Sequence, residues 1–311
     1  MPKKKTQSKT TKSKKPSRRM CGTMSVHFRL LERDPEFRLR QYDLEHASRD
    51  RRMAGAVSKL ALPITIPVVV HVVYNTKAER ISVAQVKSQI AVLNRDYRAK
   101  NPDRSKAPAV WKGLVADAGI QFKLAAKDPS GAASNGIVYV QSSQTSFSDD
   151  DSVKSSARGG ADPWDTKTYL NIWVCSLSDQ LLGYAQFPGG PAATDGVVIL
   201  NTAFGTKGSA ATPFNLGRTA THEVGHWLNL RHIWGDRDDC GQDDLVVDTP
   251  TQATANFGKP KFPKISCSNG PNGDMFMNYM DYVDDASMCM FTPEQVSRMH
   301  AALEGPRKKL F

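Results

Sequence analysis

His222-Glu223-Val224-Gly225-His226-Trp227-Leu228-Asn229-Leu230-Arg231-His232 is the stretch whose reading decides the fold. It has the form H-E-x-x-H-x-x-N-x-x-H. Two histidines four apart on a helix lie on one face, one turn apart. Neutral imidazoles at that spacing hold one zinc ion. Glu223 stands beside the first ligand and points to the metal's open side, where it can take a proton from a zinc-activated water. His232 lies too far past His226 to share its helical face. The helix must therefore end near Asn229, and the chain must turn back to deliver a third nitrogen. Three protein ligands leave a fourth position for water, the mark of a catalytic zinc rather than a structural one. A bare H-E-x-x-H arises often by chance; the third histidine and a later Met make this one specific.

The second informative stretch is Gly273-Asp274-Met275-Phe276-Met277-Asn278-Tyr279-Met280-Asp281-Tyr282. With both stretches in place, the sequence resembles the metzincin metallopeptidases and, more narrowly, the pappalysin family, from about Ile66 to Leu303. The resemblance implies a zincin-like fold with a cleft between two halves and zinc at its floor. It implies that Met280 is a Met-turn residue, an apolar floor beneath the ligands and not itself a ligand. It makes Tyr282 a donor to the oxyanion that forms during peptide hydrolysis. It pairs Cys240 with Cys267, a bridge on the order of 3 kcal/mol by the chain-entropy argument. It also implies a pro-segment whose cysteine, here Cys21, takes the open zinc position and keeps the enzyme latent.

Other features need both readings. Asp236, Asp238, Asp239, Asp243, Asp244 and Asp248 crowd one loop, and hard oxygen ligands in a flexible loop suit calcium. The resemblance narrows that site to Asp244 and Thr249, with Gln242 and Val247 through their carbonyls. Asn229 stands where the family usually has Gly; Asn is the next most tolerant residue for the positive φ such a turn needs. A second family bridge is lost at both ends, where Lys259 and Ser287 stand, so Cys289 is expected to be free. Cys175 reads as a buried strand thiol. Some relatives cut before Arg with an acid at the position that Met288 occupies here, which implies an apolar or broad preference in this chain.

The 311 residues are 40% apolar, enough for a core, and contain no apolar run long enough to cross a membrane. The net charge is +11, but nine of the basic residues fall in residues 1–20, which hold no acid. That tract reads as a disordered basic tail. It has no apolar segment of the signal-peptide kind. No aromatic interleaving or groove-reading motif accompanies it, so no nucleic-acid partner is expected. Residues 21–52 are expected to hold one or two helices and end in the dibasic Ser48-Arg49-Asp50-Arg51-Arg52, a stretch open to proteolysis; the resemblance implies that they are the pro-segment. Residues 53–311 are the catalytic domain.

Its upper half, to about residue 232, is α/β with a twisted mixed sheet. Strands are expected at Ile64–Tyr74, Ile120–Ala126, Ile137–Val140, Tyr169–Cys175 and Val197–Leu200, and Gly183–Pro188 resembles the edge strand that in metzincins lies antiparallel to bound substrate. A helix capped by Ser82 runs to about Tyr97, with Val83, Val86, Ile90 and Leu93 on one face. The active-site helix spans about Asn215–Leu228. The lower half, 233–311, is irregular until a last helix from Thr292 to about Leu303. The expected protein is a secreted, monomeric zinc endopeptidase, made as a latent zymogen and acting on extended protein or peptide chains. The rival is a zinc-binding but catalytically silent interaction module, with Asn229 as its first sign of decay. Glu223, Tyr282 and three intact histidines weigh against that rival, because a silent module needs no general base.

Overall fold

The protein is described by a computed structural model covering residues 16–55 and 58–311. Its first elements are two helices, α1 (Thr23–Arg33) and α2 (Pro35–Met53), separated at Asp34. Asp34 accepts from the Phe37 amide and Pro35 opens α2, so the break is a regular N-cap. The expected boundary at Arg52 falls inside this helix. Nothing between Ser48 and Met53 breaks a helix, and Arg51 and Arg52 sit in its last turn, where cations suit the dipole.

The sheet follows: β1 (Ile64–Tyr74), β2 (Ile120–Leu124), β3 (Ile137–Gln141), β4 (Leu170–Cys175), β5 (Gly183–Ala185) and β6 (Val197–Leu200). β1 is long enough to pair with β2 through its first half and β3 through its second, and with β4 on its other side. The order is β2-β1-β4-β6-β5, all parallel except β5, which runs antiparallel to β6 at the edge. Both faces of β1 are covered, which is why its sequence reads as an unbroken apolar run. Ile66, Val68, Val70 and Val72 join the main core with Ile172, Val174, Val197 and Ile199. Val73, Trp173, Cys175 and Val198 face the other way, onto a smaller core that includes Val26 of α1.

On the main-core face lie α3 (Val83–Asp96) and α4 (Arg218–Trp227). Ser82 caps α3 as expected, accepting from Gln85 N. Its buried face holds Val86 and Leu93 as expected, with Ile90 packed against the core, but Val83 is exposed. Gln85, Gln89 and Asp96 are buried as well, because Gln85 and Gln89 bond the loops that lead into α4 and Asp96 accepts from Thr221 of α4 itself. Between α4 and α5 (Pro293–Glu304) no described residue enters an α-helix or a ladder strand, so the lower half is irregular as read. Thr292 and Gln295 form the capping box at the start of α5.

The expected tail, 1–20, is corrected at its end. Residues 1–15 lie outside the described residues, but Arg19 is 1% exposed and ion-paired with the fully buried Asp285. A basic tract read by composition hid one arginine with a partner more than 250 residues away.

Candidate functional site

α4 starts three residues later than its sequence suggests, at Arg218, because its cap is not local. The Asp285 carboxylate accepts from the amides of Leu216 and Arg218. The other end follows the spacing argument. Asn229 takes φ 75°, its amide donates to His226 O, and the Leu230 amide donates to Gly225 O. That is a Schellman turn with Asn in the left-handed position, and it swings His232 back to the two helical histidines.

The three Nε2 atoms stand 3.0–3.2 Å from one another. Each Nδ1 faces an acceptor: Tyr279 O and Leu230 O, both at 2.7 Å, and the Asp236 carboxylate. Those bonds leave three Nε2 lone pairs converging on one point. Lone pairs so placed repel each other unless a cation lies between them, and the spacing suits nitrogens about 2 Å from one zinc. Burial pushes His222 and His226 well below the ordinary histidine range, which keeps them neutral and able to ligate. Asp236, read as one of the calcium-loop acids, thus belongs to His232. Its place four residues after that ligand was the available signal.

Cys21 joins the cluster: its Sγ and the three histidines lie within 4.8 Å of one another. It sits beside β5, bridged in parallel to Gly183, with Gly22 N donating to Gly183 O at 3.0 Å. Its Sγ is 3.3 Å from Glu223 Oε2. Burial and the Glu223 charge push the thiol up, so a thiolate here requires a cation beside it. Thr23, not foreseen from the sequence, donates to Glu223 Oε2 at 2.9 Å and accepts from Ala185 N at 2.8 Å. Burial raises Glu223 to about 7, against the pull of its bonds to Cys21 and Thr23.

Met280 is fully buried under α4, and a Cβ on Gly225 would lie 2.6 Å from its Sδ. Tyr282 rests its ring edge-on against His232, centroids 4.9 Å apart, and burial raises its phenol well above the usual value. Trp234, missed in the sequence, stacks on His232 at 4.4 Å. Cys240 and Cys267 are bonded; Cys175 and Cys289 are buried and free. Met288 is buried in the core, and so is the acid three residues earlier, Asp285. There Arg19 places Nη2 2.7 Å from Asp285 Oδ1, Nη1 3.0 Å from Thr219 Oγ1 and Nε 3.4 Å from Val283 O.

The extracellular metalloprotease of Pyricularia oryzae is 35% identical over 254 residues, 79% of this chain and 77% of the relative. The chain belongs to the pappalysin family of zinc metallopeptidases. The family profile described as pregnancy-associated plasma protein-A matches residues 154–304. An extracellular metalloprotease of Arthroderma gypseum is 33% identical, over 83% of this chain and 78% of its own. Among solved structures, mature mirolysin of Tannerella forsythia in complex with a cleaved peptide is 52% identical, with TM-score 0.78 over 79% of this chain and 95% of that one. A promirolysin mutant of the same organism is 46% identical, with TM-score 0.85 over 94% and 97%. This pappalysin is therefore a zinc-dependent endopeptidase with protein or peptide substrates, in a zymogen form. The silent-module alternative is not favoured.

One local requirement of the site is testable. A Cβ on Gly183 would lie 2.9 Å from Glu223 Cγ and 2.7 Å from Val198 O. Gly183→Ala is expected to displace the Glu223 side chain and lower kcat of the mature enzyme about tenfold or more while zinc content stays at wild type. A 1 Å misplacement alone can cost about 100-fold. Unchanged kcat in a folded Gly183→Ala enzyme would show that this close approach is not needed.

Proposed function

We propose that residues from Cys21 to about Met53 are a removable pro-segment and that the remainder is a secreted, monomeric endopeptidase that cuts before arginine. The observation that carries this reading is the pro-segment's own occupancy of the site. Cys21 completes the donor cluster, Thr23 holds Glu223, and Arg19 fills the Asp285 pocket. Mature mirolysin covers less of this chain than the promirolysin mutant does, which supports the division. The relatives' names support an extracellular setting, as does the Cys240–Cys267 bridge. No helix among the described residues is long and apolar enough to cross a membrane.

His222, His226 and His232 would hold the zinc, which when bound supplies the Lewis acidity that polarises the scissile carbonyl and activates the attacking water. Glu223 accepts the proton of that water and returns it to the leaving amine. Tyr282 donates a hydrogen bond from its phenol to the developing oxyanion. The substrate backbone adds to the β5 edge in the antiparallel sense. The pro-segment runs the opposite way there, so the pocket that Arg19 reaches from before Cys21 receives the substrate residue after the cleaved bond. Asp285, Thr219 and the Val283 carbonyl then select Arg.

Matched peptides with Arg or Gln at that position test the assignment, with a zinc chelator as control. The mature enzyme should cleave the Arg peptide about 100-fold better, as a buried charged pair with fixed hydrogen bonds allows. Equal rates on both peptides, each abolished by the chelator, would leave the endopeptidase in place and remove the Arg pocket.

We also assign a calcium ion to the 242–249 loop. Three of the acids crowded between 236 and 248 have other duties: Asp236 serves His232, Asp238 accepts from Thr254, and Asp248 accepts from Thr292 and Glu294 N at the head of α5. Asp244 is different. It is 1% exposed, raised to about 7 by burial, bonded to Thr249 through Oδ1, and its Oδ2 has no partner. A buried carboxylate oxygen of that kind suits a hard cation, with the Gln242 and Val247 carbonyls as further ligands. Calcium at about 100 times its Kd should raise Tm by about 5 °C, and Asp244→Ala should abolish the rise. A Tm insensitive to calcium would remove this site.

A further inference from the structure

The pro-segment fills a second charged pocket, on the other side of the zinc ligands. The Glu45 carboxylate of α2 is gripped by Arg298, whose Nη1 and Nη2 donate at 2.7 and 2.6 Å. Arg231 Nη2 stands 3.8 Å away. Burial alone would raise Glu45, but Arg298, Arg231 and the Asn229 amide hold its carboxyl below the usual range. The amide lies close without completing a full hydrogen bond. The pocket is built into the active-site turn. Arg298 Nε donates to Asn229 O at 3.0 Å, and the next carbonyl along the chain, Leu230 O, accepts from His226. A cavity of about 350 Å³ lies alongside, between α2, residues 243–247 and α5.

Its place along the cleft follows from α4. The Asp285 pocket lies at the N-terminus of α4, and the Arg231–Arg298 pocket lies past its C-terminus, with the ligands between. If Asp285 receives the residue after the cleaved bond, the two arginines face residues before it. α2 confirms that side: Gln41 and Arg40 donate to Pro188 O and Gly189 O, on the chain leaving β5.

We infer that removal of the pro-segment turns Arg231 and Arg298 into a subsite for a substrate carboxylate, an Asp or Glu side chain on the N-terminal side of the scissile bond. This rests on the endopeptidase reading above. Both guanidinium groups keep their charge when α2 leaves, since Arg does not deprotonate in proteins. A partly buried cation left without its carboxylate is costly. An incoming carboxylate restores the charge-assisted, two-pronged contact that Glu45 made. Two other acids lie near Arg231: Asp236 is engaged by His232, and Asp244 takes its bonds from Thr249 and Val246 N on Oδ1, with neither within ion-pair distance of the two guanidinium groups. Asn229, where the family usually has Gly, adds an amide directed at the same spot.

The test uses the mature enzyme and peptides with Arg after the scissile bond, comparing Glu with Gln at each of the three preceding positions. At one position Glu should raise kcat/KM about tenfold over Gln, the size of one charged hydrogen-bond pair. That ratio should shrink at high salt and approach unity in Arg231→Gln, the more exposed of the two arginines. Lys at the same position should be cut more slowly than Gln. A Glu-to-Gln ratio near one at all three positions overturns the subsite, and so does a ratio that survives Arg231→Gln unchanged. The wild-type peptide series decides the matter even if the variant fails to fold. Cleavage of no peptide at all would instead refute the endopeptidase reading, and the subsite with it.

Discussion

Glu223→Ala is expected to bind zinc as wild type does and to lose at least about 100-fold in peptide hydrolysis, the usual contribution of a general base. The two properties separate because the groups are separate. The histidines are aimed by Tyr279 O, Leu230 O and Asp236, none of which touches Glu223. The Glu223 carboxylate instead meets Cys21 and Thr23, both in the pro-segment. Once the pro-segment is gone, Glu223 faces the cleft without them, positioned by the tight approach of Gly183. The variant cannot be relied on to mature itself, so it must be cut by an added protease before assay. Metal analysis and single-turnover hydrolysis of an Arg-containing peptide read the two effects independently. Activity above about a tenth of wild type would place the general base elsewhere. Loss of zinc would show that Glu223 holds the ligand set together.

The three-histidine cluster was legible because its information is local. A helical period puts His222 beside His226, and one left-handed residue, Asn229, is enough to return His232. β1 was legible as a strand because a sheet covered on both faces leaves an unbroken apolar run. The lower half yielded its irregularity and its last helix for the same reason, since caps announce themselves; its bridge was legible only through the family resemblance. What stayed hidden was set by distant pairings. Arg19 looked like one more cation in a tail, and Asp285 like one of two acids in a loop; neither residue type announces that they meet across the whole chain. The same carboxylate caps α4, so the true start of that helix was hidden with it. Thr23 carried no pattern at all, since its role depends on a strand edge and a helix meeting at one point. The calcium-loop acids misled in the opposite way. Their crowding suggested one site, while Asp236, Asp238 and Asp248 each serve a different element.

Replacing Cys21 should turn a silent precursor into one that processes itself. In wild type, Cys21 Sγ completes a four-atom donor cluster with His222, His226 and His232, and four protein donors leave no place for the attacking water. Cys21→Ala vacates one donor position and leaves the rest of the pro-segment docked through Arg19–Asp285, Thr23–Glu223 and Glu45–Arg298. Those contacts now hold the segment without its strongest anchor. If the lost contact is worth about 3 kcal/mol, the open population rises on the order of 100-fold. Purified Cys21→Ala precursor should therefore hydrolyse an Arg-containing peptide before any added protease, while wild type does not. On standing it should convert to a shorter form whose new N-terminus lies near the end of α2, by Met53, as mass spectrometry would read. Adding Arg19→Ala should speed the conversion further, since it empties the pocket that the segment otherwise fills. Equal, negligible hydrolysis by wild type and Cys21→Ala precursors would mean that Thr23, Arg19 and Glu45 are enough to keep the site closed, and that the thiol is not the lock.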